Sequence, residues 1–196
     1  MSKKPFKLDN QDYDITPELK VRKILEKETQ NIPKLEFDGN SKDQYGYDLK
    51  VFFWKNLEKE PQKQPLGYVE VEHTDNYIFV NDEKPKNWPE ISFLKRKVYK
   101  PVRDRDNNFE EWKNTPKNNY KDTLYLKLDS SYTSCFCASI EDIFDYGEES
   151  YRSKGEDYNG DYLGLDKKYV SFGIDKSVKR ILDFFDISKR CNPINR

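Results

Sequence analysis

The chain has 196 residues, 36% of them charged and 35% hydrophobic, with a net charge of −1. That length suffices for one core, and 14 Tyr, 12 Phe and 3 Trp supply bulky apolar bodies that disordered chains lack. Three Cys with a single His do not make a zinc set, no run approaches the ~18 apolar residues of a membrane span, and a near-neutral balance leaves a nucleic-acid partner open.

Residues 1–14 are polar and without periodicity, which predicts a flexible N-terminal arm, with residues 15–196 as a single domain. No apolar stretch follows the first charges, so a soluble, cytoplasmic protein is expected. Thr16-Pro17-Glu18 reads as a helix start, with Thr as N-cap and Pro at the first helical position. Val21, Ile24 and Leu25 then recur at helical spacing until Pro33 ends the helix. A short strand over 34–37 and a β-prone run over 47–54 follow. A polar loop over 55–66 leads to a further strand over 67–73, which makes a long-looped hairpin.

Residues 91–99 alternate as another strand. Residues 107–120 are ambiguous, with Phe109 and Trp112 as anchors. The runs 123–129 and 132–139 pair across a turn and place Cys135 and Cys137 on one face, as small buried residues. A short helix over 140–146 precedes a Gly-, Tyr- and acid-rich stretch, 147–164, expected to be an exposed loop. Val178, Ile181, Leu182 and Phe185 define a final helix over 175–185, capped by Asp175. Helix, several strands, then helix is an α+β order.

The chemistry concentrates between Asp48 and Glu72. Glu70 and Glu72 alternate with Val69 and Val71, so the two carboxylates stand about 7 Å apart on one face. Pairing Trp54 with Gly67 sets Asp48 opposite His73 and beside Glu72. Like charges clustered on a hairpin repel unless a cation compensates. Mg²⁺, or Mn²⁺, takes oxygen ligands, lowers the pKa of a bound water and stabilises charge on a phosphoryl group, which suits phosphodiester hydrolysis. Glu18 and Glu28 flank the apolar stripe of the first helix, from where a carboxylate could orient a metal-bound water. The same residues also suit a strand with one solvated face, a turn aspartate and ordinary helix surface charges.

Glu18 or Glu28 on a helix, Asp48 on a strand and Glu70-Val71-Glu72 on the next resemble the PD-(D/E)XK superfamily of restriction-endonuclease-like proteins over about residues 16–100. Its pattern ends in Glu-x-Lys, where this chain has Glu-x-Glu, a variant also met in some restriction enzymes. The resemblance implies a restriction-endonuclease-like core, with a central mixed sheet and flanking helices. It also implies a metal site of Asp48, Glu70 and Glu72, with Glu72 as third ligand or water-orienting group. Lys97 or Lys95 on the following strand, or Lys50, would supply the missing amine.

Lys95, Arg96, Lys97 and Lys100 form the densest basic cluster and are the candidate DNA contacts, with alternation placing Lys95 and Lys97 together. Trp88, Tyr99 and Trp112 read as loop anchors, and His73, on the face opposite Glu72, as a packed or surface residue. Two functions follow. One is a Mg²⁺-dependent DNA endonuclease of restriction or phage type, in which a homodimer would cut both strands. The other is a catalytically inactive relative that binds DNA or protein.

Overall fold

A computed structural model describes residues 11–39, 47–55, 62–74, 88–106, 109–150 and 162–191, with the side chains of 11–16 and 109–114 outside the description. α1 (Gln11–Glu28) extends through Thr16, so Pro17 lies inside it and not at its first position. There it keeps helical φ but leaves one intrahelical N–H bond unmade and crowds the carbonyl four residues before it. The anchors come after it, since Val21 and Leu25 are fully buried.

β1 (Leu35–Gly39) pairs antiparallel with β2 (Leu49–Lys55), and β2 with β3 (Gln62–His73). β3 starts at Gln62, within the expected loop, and this corrects the register. Val51, and not Trp54, faces Gly67, and Leu49 faces Val69, so Asp48 abuts Glu70. Leu66 is the extra residue of a bulge between the Val51 and Phe52 pairs. Pro65 is tolerated because β3 gains its partner on the other side only from Tyr68 onward.

Gly67 sits where the sheet meets the end of the chain. A Cβ there would come 2.1 Å from the Asp122 carbonyl oxygen and 2.7 Å from the Phe185 ring. Gly67→Ala is therefore expected to cost about 1–3 kcal/mol in urea unfolding, and a variant as stable as the parent would contradict this close approach.

The strand expected over 91–99 is broken into β4 (Ile91–Leu94), a single helical turn α2 (Lys95–Val98) and β5 (Tyr99–Arg103). The turn carries Lys97 inward to two carboxylates, a tertiary gain that overrides local β propensity. β6 (Phe109–Pro116) pairs with β5 as a two-stranded ribbon. β7 (Thr123–Leu128) and β8 (Cys135–Ser139) form the expected hairpin. α3 (Ile140–Tyr146) begins where the Ser139 hydroxyl accepts the Asp142 N–H at 3.0 Å.

β9 (Glu148–Glu149) and β10 (Tyr162–Leu165) join β4 in a three-stranded sheet, so the flanks of the expected 147–164 loop are strands; residues 151–161 lie outside the described residues. Burial of Leu163 and Leu165 is the physical reason, which the surrounding polar composition obscured. β11 (Ser171–Phe172), α4 (Ile174–Phe184) and α5 (Ile187–Cys191) complete the chain. α4 starts after Gly173 at φ 87°, a left-handed conformation that favours glycine, which puts Asp175 in the first turn and not at the cap.

The strands order β1-β2-β3-β7-β8-β11 into a six-stranded sheet, mixed because β3 and β7 run parallel. With its flanking helices this is the α+β architecture expected from the sequence. One face packs Val69, Val71, Leu124, Leu126 and both buried cysteines against Val21 and Leu25 of α1 and Val178 and Ile181 of α4. The other buries Tyr125 and Phe136 against Phe93, Val98, Ile143 and Leu163. Because both faces are covered, every β7 residue is buried, including Lys127. No described helix is long and apolar enough to cross a membrane.

Candidate active site

The corrected register and the α2 turn bring together Asp48, Glu70 and Lys97. Asp48 stands just ahead of β2, where its Oδ2 accepts the Val71 N–H at 2.7 Å and the Lys97 ammonium at 3.0 Å. Glu70, only 1% exposed, meets the same ammonium through Oε1 at 2.5 Å. Its second oxygen, Oε2, is buried with no hydrogen-bond partner among the described residues. Burial, and then the Asp48 charge, push the Glu70 carboxyl up to about 7, against the pull of Lys97 and Lys117.

Lys117, which follows β6, belongs to the same site. Its N–H bonds the Val98 carbonyl at 2.9 Å, beside Lys97 in the chain, and its ammonium lies 5.3 Å from the Tyr47 ring centroid. Desolvation lowers its pKa, with Glu70 acting in the opposite direction.

Glu72 shares the Glu70 face but is committed elsewhere. Lys127, its parallel neighbour on β7, meets Oε1 at 2.9 Å, and the Tyr125 hydroxyl donates to Oε2. Lys127 also donates to the Ser92 carbonyl at 2.7 Å, and Tyr125 accepts the Leu94 N–H at 3.4 Å. Glu72 thus fastens β4 to the main sheet. The site holds a carboxylate pair, and no group of three or more His, Cys, Asp or Glu able to hold a metal occurs among the described residues.

The other sequence candidates are dispersed. Glu18 lies against Gly39, close enough that a Cβ there would meet its Oε1 at 2.7 Å. α1 packs on the sheet face opposite the one that carries Glu70 and Glu72. Glu28 borders a surface hollow with Asp175, Lys179 and Asp183. Lys95 and Lys97 do not share a side as strand alternation required, because α2 turns Lys97 into the site while Lys95 pairs with Glu149. Lys100 donates to Asn118 at 2.8 Å, and Arg96 is half-buried. His73 stacks on Tyr132, with ring centroids 4.3 Å apart, and is a packed residue. Trp88 sits edge-on to Phe136 and Tyr99 to Phe144, both as anchors; the side chains of Phe109 and Trp112 lie outside the described residues.

Sequence reading missed Lys117, Tyr125 and Lys127. Lys127 left a faint signal, as a charge in a strand whose neighbours are almost all apolar. Lys117 left none, since Asn114-Thr115-Pro116-Lys117-Asn118 reads as an ordinary polar loop.

The donor set suits a hard divalent cation. Mg²⁺ keeps several waters and needs one or two protein carboxylates beside a substrate phosphate. Asp48 and Glu70 would supply that pair, and Glu70 Oε2, without a partner among the described residues, is a buried atom that a cation or donor would satisfy.

No protein-family model and no curated protein matches the chain. Among solved structures it is similar to D212, a nuclease from a fusselovirus, at a TM-score of 0.42 and 9% identity, over 96% of this chain and 100% of that one. At that TM-score the likeness decides nothing about activity.

Proposed function

We propose that this protein is a Mg²⁺- or Mn²⁺-dependent DNA endonuclease of the PD-(D/E)XK kind, with Asp48 and Glu70 as metal ligands and Lys97 as the active-site amine. The observation that supports the reading most is the convergence of Asp48, Glu70 and Lys97 from β2, β3 and α2 on one buried point. Lys97 supplies in space the amine that the chain lacks at position 72. When bound, the metal would lower the pKa of a water and stabilise charge on the phosphoryl group. The Val71 N–H and Lys97 hold Asp48 in place, and Lys97 relieves the repulsion between the two carboxylates. Its ammonium would also help to hold a nucleophilic water at the carboxylates.

The test is cleavage of supercoiled plasmid with Mg²⁺ or Mn²⁺. The parent is expected to nick or linearise it, and Asp48→Asn and Glu70→Gln to leave it intact. Equal cutting by both variants would defeat the assignment.

One observation favours a second reading. Lys97 already neutralises one charge of the pair, so the cluster is compatible with a metal-free DNA- or protein-binding module. Thermal melting with Mn²⁺ separates the two, because a ligand at 100 times its Kd adds about 2.7 kcal/mol to native stability. A flat response up to millimolar Mn²⁺ favours the binding module.

A further inference from the structure

Half-buried Lys117 differs from the buried lysines Lys97 and Lys127 in having no acceptor among the described residues. Lys97 is shared by Asp48 and Glu70, and Lys127 is bonded to Glu72 and the Ser92 carbonyl. Among the described residues, no carboxylate or carbonyl oxygen lies within bonding reach of the Lys117 ammonium, which rests over the Tyr47 ring. The main-chain bond to Val98 fixes where the side chain starts. Desolvation, Lys97 and Arg96 disfavour its charge, while Glu70 and Asp48 favour it.

An ammonium carries three N–H donors, and withdrawing them even in part from water without acceptors is costly. The Tyr47 ring returns part of that cost through its quadrupole but accepts no N–H bond of ordinary strength. A half-buried cation with spare donors, within electrostatic range of the Asp48 and Glu70 carboxylates, matches an oxyanion: several acceptor oxygens, negative charge and small size.

We propose that Lys117 is a substrate-binding residue that receives a phosphate group of the nucleic acid beside Asp48 and Glu70. The identity of the ligand rests on the nuclease reading, whereas the oxyanion chemistry rests on the ammonium itself. Lys97 is occupied by the carboxylates, so Lys117 is the lysine of the site with donors to offer.

The experiment compares the parent chain with Lys117→Met, which keeps an unbranched side chain one atom shorter and removes the charge. Binding of a fluorescent oligonucleotide is titrated in EDTA over a range of salt. The variant is expected to lose roughly ten-fold in affinity at low salt, the equivalent of about 1.4 kcal/mol. The slope of log affinity against log salt should fall by about 0.7 for single-stranded or 0.9 for duplex DNA. Its melting temperature should stay at or above the parent's, because the half-buried ammonium makes no hydrogen bond that the variant would lose; a structural lysine would behave in the opposite way. In a second arm, inorganic phosphate should protect Lys117 of the parent from reductive methylation, read by mass spectrometry. Unchanged affinity and slope in the variant, or no protection by phosphate up to about 100 mM, would overturn the proposal. If Asp48→Asn still cleaves DNA while Lys117→Met loses slope, the nuclease assignment fails and the oxyanion site stands. If the parent binds no DNA, protection by phosphate alone decides.

Discussion

Lys97→Met is expected to abolish DNA cleavage and to destabilise the protein by about 3–5 kcal/mol at pH 8, the usual cost of removing one partner from a buried ion pair. Lys97 is 5% exposed and stands between a fully buried glutamate and a half-buried aspartate, so its loss leaves two like charges facing each other away from water. For a domain of this size that corresponds to a fall in melting temperature on the order of 10 °C. The cost should shrink toward pH 5, because Glu70 without Lys97 takes up a proton more readily. Adding Glu70→Gln should restore much of the stability of Lys97→Met by removing the uncompensated charge, yet restore no cleavage. A single variant that melts with the parent at pH 8 would mean that the triad contributes little to the fold. One that cleaves DNA normally would remove Lys97 from the site.

The second large effect is a pH dependence carried by Glu70. Its pKa is raised by burial from the usual 4.5 to about 7 in the folded chain. A carboxyl whose pKa is raised on folding binds its proton more tightly in the native state, so its contribution favours folding at low pH. Stability from this residue therefore declines as pH climbs from about 4.5 to about 7, by roughly 3 kcal/mol in all. Urea unfolding of the parent and of Glu70→Gln across that window isolates the effect, since the variant should gain on the parent as pH rises and level off above about 7. A constant difference between the two would show that Glu70 titrates normally. Mn²⁺ binding needs the ionised carboxylate, so the thermal shift given by Mn²⁺ should grow through the same window. Cleavage should show its rising limb there as well.

Both effects centre on residues that stand out one by one as candidates in the sequence and whose association does not show there. The β7–β8 hairpin, the α3 boundaries, the apolar stripe of α4 and the burial of Cys135 and Cys137 follow from local periodicity, and the folded chain bears them out. Alternation of Glu70 and Glu72 with valines correctly placed both carboxylates on one face, because the two-residue period of a strand is a local property.

Which partner each carboxylate meets is not local. The register of β2 on β3 depends on where the loop closes and on the bulge at Leu66, and a shift of one residue moves a whole set of side chains to the other face. The observed register differs from the expected one by three residues, which moved Asp48 from beside Glu72 to Glu70. Lys127 reached Glu72 only through the parallel pairing of β3 with β7, strands far apart in the chain. Lys97 came to Asp48 from 49 residues away, and only because a helical turn interrupts what local propensity reads as one strand. Residue types and periods are set by neighbours along the chain, so the carboxylates and the sheet that carries them could be read there. Burial and ion pairing are set by neighbours in space, so the folded chain decided that Glu72 meets Lys127 and Tyr125 while Asp48 and Glu70 share Lys97.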